Sequence, residues 1–110
     1  MATDFVAYAG DTQQIVVTVT DEAGAALDMT GCALVYVMCD AAGAELLRKT
    51  TADGEITIAG NVAAVAIDAG DTTALAGVYV YHEMQITDTL GNVSTLLAGT
   101  VTFVRTRITP

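Results

Sequence analysis

The stretch from Gly77 to Arg105, GVYVYHEMQITDTLGNVSTLLAGTVTFVR, constrains the fold more than any other part of the chain. A glycine opens it and an aromatic strand follows. Asp88–Asn92 makes a polar turn, and a second strand with a glycine step at Gly99 completes a β-hairpin. A catalytic segment would gather reactive groups. This one gathers Val, Tyr, Thr and Leu, which suit a pleated, half-buried surface. The rest of the chain repeats the same grammar, with short β-branched runs separated by Asp, Gly, Asn and Thr. The expectation is an all-β, antiparallel β-sandwich.

The individual runs can be placed. Asp4–Tyr8 reads as a first strand, ended by Gly10-Asp11-Thr12. Gln13–Thr20 alternates, with Ile15, Val17 and Val19 on one face and Gln14, Val16, Thr18 and Thr20 on the other. Asp21–Gly24 is a turn by composition, and Leu27–Gly31 leads into Cys32–Asp40. There Val35 and Val37 share a face while Leu34, Tyr36 and Met38 share the opposite one, and neither face is polar. Such a strand is central, or its outer face is covered by a neighbouring chain. Glu45–Thr51 carries the charges of an edge strand protected from further pairing. Gly60-Asn61 joins Glu55–Ile58 to Val62–Ile67 as a tight hairpin. Asp68–Ala76 is a connector with one helical turn over Asp71–Leu75, and Val78–Thr87 with Val93–Thr106 closes the domain. About eight strands (seven to nine) at this spacing suit a sandwich or a small barrel. Nothing resembling a linker divides residues 1–110, so one domain is expected. The tetrapeptide AGDT occurs at Ala9–Thr12 and at Ala69–Thr72; it is a trace of duplication or, since both copies are turn residues, more simply a coincidence.

Composition bounds the function. A chain of 110 residues builds one core, and with 53% hydrophobic residues, no Trp and 5% aromatics that core is thin. No apolar run approaches the roughly 18 residues of a membrane helix. The segment MATDFVAYAG has no basic region and no apolar signal core, which predicts a protein made and kept in a cytosol until assembly. Thirteen acids against four bases give a formal charge of −9. That balance argues against nucleic acid as a partner, because phosphate neutralisation needs clustered Lys and Arg. Arg48 and Lys49 are adjacent, and Arg105 and Arg107 share a face near the C-terminus. They read as solvated strand ends or as a small basic patch that meets an acidic partner surface.

Catalytic chemistry is scarce. His82 is the single histidine and lies mid-strand on the face of Val80 and Met84, which makes it a packing or interface residue rather than a base. No nucleophile elbow, phosphate loop or zinc spacing is present. Asp68 with Asp71, and Asp21 with Glu22, fall short of the six to eight oxygens that calcium takes. No enzyme activity, cofactor or metal is expected.

The order of these signals resembles a family of small bacteriophage structural proteins, similar to the immunoglobulin-like N-terminal domain of baseplate upper proteins. The matching points are Gly10-Asp11-Thr12 before a strand, the Asp21–Gly24 turn, and the Leu27-Asp28-Met29-Thr30-Gly31 step. Gly77-Val78-Tyr79-Val80-Tyr81, Ile86-Thr87-Asp88 with Gly91, and Leu96-Leu97-Ala98-Gly99-Thr100-Val101 follow. The resemblance implies an immunoglobulin-like sandwich and a virion component, assembled in the host cytoplasm in several copies and docked on other structural proteins. A tail or baseplate adaptor and a capsid decoration protein both fit; a carbohydrate-binding or adhesion module is the alternative. Two stripes are the candidate interface, Leu34, Tyr36 and Met38, or Tyr79 and Tyr81, with Arg105 and Arg107 as the basic patch. Met84 and Ile86 are out of phase with the two tyrosines. Either a β-bulge near Tyr81-His82-Glu83 restores the phase, or Tyr79 and Tyr81 face outward.

Cys32 and Cys39 are the only cysteines. Seven strand residues at about 3.3 Å each set them ~23 Å apart, beyond the roughly 7 Å between Cα atoms that a disulfide spans. Both should therefore titrate as free thiols in protein unfolded without reductant. An intrachain bridge would show that they do not share one extended strand.

Overall fold

The computed structural model describes residues 4–20, 23–75 and 77–104. Eight strands follow one another: β1 (Phe5–Tyr8), β2 (Gln13–Thr18), β3 (Ala33–Cys39), β4 (Glu45–Thr50), β5 (Ile56–Ala59), β6 (Val62–Ile67), β7 (Tyr79–Thr87) and β8 (Val93–Val104). The connector before β7 holds a helical turn, α1 (Ala69–Thr72), continued by a 3₁₀ turn over Thr73–Leu75. The helix begins two residues earlier than expected because the Asp68 N–H donates to the Asp71 carboxylate at 2.8 Å, fixing the first turn from its own side chain.

The strands form two sheets, a five-stranded one in the order β1-β8-β7-β3-β4 and a three-stranded one in the order β2-β6-β5. Neighbours are antiparallel except β1 and β8, which run parallel from Phe5↔Val101 to Tyr8↔Val104. The inner face of the large sheet supplies Leu34, Tyr36, Met38, Val80, Met84, Val101 and Phe103. Ile56, Ala63, Val65 and Ile67 come from the small one, and together they make one buried cluster. The expected all-β sandwich is thus the observed fold. At about 1.5–3 kcal/mol per large buried side chain, this cluster is the main source of stability.

Turn chemistry sets the register. Gly60 has φ +61° while no non-glycine among the described residues has a positive φ, so the two-residue Gly60-Asn61 loop is a type II′ turn. In the β7–β8 hairpin, one Asp88 carboxylate oxygen accepts from the N–H groups of Leu90 and Asn92 at 2.8 and 2.9 Å. β3 starts one residue later than expected because the Cys32 N–H closes a turn onto the Met29 carbonyl.

β4 is the outer strand of its sheet, and one of its charges points inward. Lys49 is buried, with its Nζ 2.8 Å from both Glu55 Oε2 and Asp71 Oδ2. An inward charge is one of the ways an edge resists further pairing. Arg48, on the opposite face, is exposed and pairs with Glu45 at 2.7 Å. The adjacent Arg48 and Lys49 therefore form no basic patch, because strand alternation separates them and each is neutralised by acids. Arg105 and Arg107 lie outside the described residues.

Burial works against ionisation of both Lys49 and Asp71. Their mutual hydrogen bond and attraction, the Glu55 contact to Lys49 and the Asp68 N–H to Asp71 outweigh it. Lys49 is accordingly held above its usual range and Asp71 below its own. The contribution of Asp71 is complete above the ordinary carboxylate pKa and is lost as pH falls through its depressed folded value. That of Lys49 is complete below its ordinary value and lost as pH rises through the raised one. Lys49→Ala should cost about 2–3 kcal/mol in urea unfolding, since it strands two acids and opens space in the core. Lys49→Met should cost less. In both variants the loss of stability below about pH 4 should be shallower than in the parent.

Candidate docking surface

β7 alternates without interruption, so every second side chain reaches the core and the others face out. Val80, His82, Met84 and Ile86 are buried, while Tyr79 and Tyr81 are 51% and 46% exposed. The irregularity lies instead on β8. Met84 pairs with Leu97 and Gln85 with Thr95, leaving Leu96 as the extra residue. No bulge at Tyr81-His82-Glu83 brings the tyrosines inward, and they project from the outer face of the large sheet.

Neighbouring strands enlarge this stripe. Val6 lies opposite Thr102, itself opposite Tyr79, and Tyr8 lies opposite Val104. Val6, Tyr8 and Val104 are all exposed, so a strip of apolar side chains runs over β1, β8 and β7, with Thr102 between Val6 and Tyr79. The two tyrosine rings meet edge to face at 5.5 Å and 84°. One border of the strip is acidic. Glu83 follows Tyr81 on the same face, and the Asp4 carboxylate accepts from the N–H and hydroxyl of Thr100, the residue paired with Tyr81. The hollow beside Tyr81, lined also by Asp4, Glu83 and Ala98, is shallow and open.

The other candidate stripe is overturned. Leu34 and Tyr36 are 0% and Met38 is 1% exposed, because this face of β3 is the one that packs against the small sheet. The second face of β3 is apolar without being bare. Val37 sits between Arg48 and Glu83, Val35 between Thr50 and Gln85, and both valines are half-buried. Long polar side chains cover apolar surface with their stems, so these valines require no second chain.

His82 is 2% exposed, and its Nδ1 shares a 2.9 Å hydrogen bond with the Tyr36 hydroxyl. Burial raises the pKa of that hydroxyl well above the ordinary phenol range. The rings meet edge-on at 5.8 Å. Sequence placed His82 on the face of Val80 and Met84 as a packing or interface residue but gave no sign of its tyrosine partner, which lies 46 positions away. Among the described residues no group of three or more His, Cys, Asp or Glu side chains is placed to hold a metal ion. None of their helices is long and apolar enough to cross a membrane.

No protein-family model matches the chain, and no curated protein matches its sequence.

The contrast between the two stripes gives a direct test. Tyr36→Asp should abolish folding, since it places a charge in the core and removes the partner of His82 Nδ1. Tyr79→Asp should shift stability by about 1 kcal/mol or less, the scale of one edge-to-face aromatic pair. Circular dichroism with thermal melts distinguishes them, and equal destabilisation would put Tyr79 in the core.

Proposed function

We propose that this chain is a non-enzymatic structural domain of a bacteriophage virion, a tail or baseplate adaptor or a capsid decoration protein. In this reading it is assembled in the host cytoplasm and docks on other virion proteins through the outer face of its five-stranded sheet. The carrying observation is the exposed strip of Val6, Tyr8, Val104, Tyr79 and Tyr81. Antiparallel sheets ordinarily keep a solvated face polar, and exposed aromatic residues are favoured anchors of protein interfaces. The acidic border of Asp4 and Glu83, on a chain of formal charge −9, fits a partner surface with an apolar centre and a basic rim.

Strand order supports the immunoglobulin-like part of the reading. The order β2-β6-β5 corresponds to strands B, E and D of that fold, and β8-β7-β3 to G, F and C, with β4 added beside C as in variable-type domains. The carbohydrate-binding alternative draws on the same tyrosines. A sugar ring stacks on a flat aromatic surface, whereas Tyr79 and Tyr81 stand perpendicular to each other.

The test is incorporation. Particles assembled with the parent chain, Tyr79→Asp or Tyr81→Asp are purified, and the copy number of each is measured by quantitative mass spectrometry. The expected result is at least a tenfold loss for each variant, with the fold kept and the melting temperature lowered by no more than the few degrees that about 1 kcal/mol represents. Absence of the parent chain from particles, or normal incorporation of both variants, overturns the proposal. Binding to a glycan array that Tyr79→Asp abolishes would favour the carbohydrate reading.

A further inference from the structure

Among the described residues the sandwich has four outer strands, and they are not equally protected. β1 and β5 are four residues long, and β4 carries Glu45, Arg48 and the inward Lys49. β2, Gln13–Thr18, is six residues long with no charge, no proline and no register shift along its pairing with β6. Such an edge is a template for another strand.

Its free hydrogen-bonding groups can be identified. In an antiparallel ladder the bonded and non-bonded pairs alternate. The Val19 N–H donates to the Asn61 carbonyl at 2.8 Å, one step beyond Thr18↔Val62, so Val17, Ile15 and Gln13 also turn their backbone groups toward β6. The opposite side of β6 agrees. The Ala66 N–H donates to the Glu55 carbonyl, which directs Ala66, Ala64 and Val62 toward β5 and leaves Val65, Ala63 and Ile67 for β2. The N–H and C=O groups of Gln14, Val16 and Thr18 therefore point away from the sheet. The described part of the loop after β2 runs on the other side. Its return limb bonds back to Val19 and to Gly60, on the β6 side.

We infer that β2 is a second interaction site, distinct from the tyrosine strip, which captures an extended segment of a partner protein by strand addition. The segment pairs with the backbone of Gln14, Val16 and Thr18. Its occupant is fixed by charge. The strand and the outer face beside it, Val16, Ala64, Ala66, Thr57 and Ala59, carry none, whereas in sequence Asp11 precedes the strand and Asp21-Glu22 follows it. An uncharged stretch of about six residues with lysine or arginine at both ends complements that pattern. A second copy of this chain would instead bring acids to both ends of the contact.

The probe is a ten-residue peptide of alternating threonine and valine with two lysines at each end; the control carries glutamates at the ends. Titration into labelled protein is followed by amide shifts and hydrogen exchange. The expected result is saturable binding, at least tenfold tighter for the lysine peptide, with new protection at the amides of Gln14, Val16 and Thr18. Val16→Pro removes only an outward N–H, a substitution that edge strands tolerate, and should weaken binding at least tenfold. Val16→Lys, which keeps the backbone and adds charge to the edge, should do the same and replaces it if the proline variant does not fold. No binding at millimolar peptide, protection elsewhere, or equal affinity in a folded Val16 variant overturns the inference. So does concentration-dependent self-association that protects these amides without peptide.

Discussion

The unbroken two-residue alternation of β7 is the constraint from which the rest of the domain follows. This strand pairs with β8 on one side and β3 on the other, so its phase decides which side chains reach the core from three strands at once. With Val80, Met84 and Ile86 inward, His82 must also be inward, in a space that does not tolerate an unpartnered polar group. The Tyr36 hydroxyl meets it, and among the described residues no buried side-chain nitrogen or oxygen lacks a hydrogen-bond partner. The same phase sends Tyr79 and Tyr81 outward. The polar pair in the core and the apolar strip on the surface thus have one origin.

A second polar cluster holds the sandwich at its other margin. Lys49 on β4 reaches Glu55 just before β5 and Asp71 in α1, so one side chain joins an outer strand of the large sheet to the approach to the small sheet and to the connector before β7. A buried lysine with half-buried acids is a weak source of net stability but strict about geometry. Here the cluster fixes how the helical turn sits over the end of the core. A further tie is the Gly10 N–H, which donates to the buried Thr72 hydroxyl at 2.9 Å. The two AGDT copies meet at this contact in different conformations. Gly10 has a positive φ and Gly70 does not, so the surroundings choose the backbone for identical tetrapeptides.

Local pattern carried much of the architecture. The limits of β6, the Gly60-Asn61 turn, the facing of β2 and the edge position of β4 were readable because period-two alternation and turn chemistry are properties of neighbouring residues. The failures came where the answer depends on residues distant in sequence. The two apolar faces of β3 read as a central strand, which it is, or as one covered by a neighbouring chain, and the stripe of Leu34, Tyr36 and Met38 was a candidate interface. Only the register with β4 and β7 shows that Arg48, Glu83 and Gln85 flank Val35 and Val37, while Leu34, Tyr36 and Met38 face the other sheet. Lys49 read as a solvated strand residue because its partners lie 6 and 22 positions away. The outward tyrosines stood as one of two alternatives, and the position of the bulge, on β8 rather than β7, decided between them.

The parallel pairing of β1 with β8 has a mechanical consequence. The first and last described strands lie side by side and point the same way, joined by four residue pairs. Tension applied between the two ends of the domain pulls these strands past each other along their length. Their hydrogen bonds then bear the load together instead of opening one at a time, as they would if the pull ran across the strands. A domain laid out in this way resists stretching through its end strands before its core is disturbed.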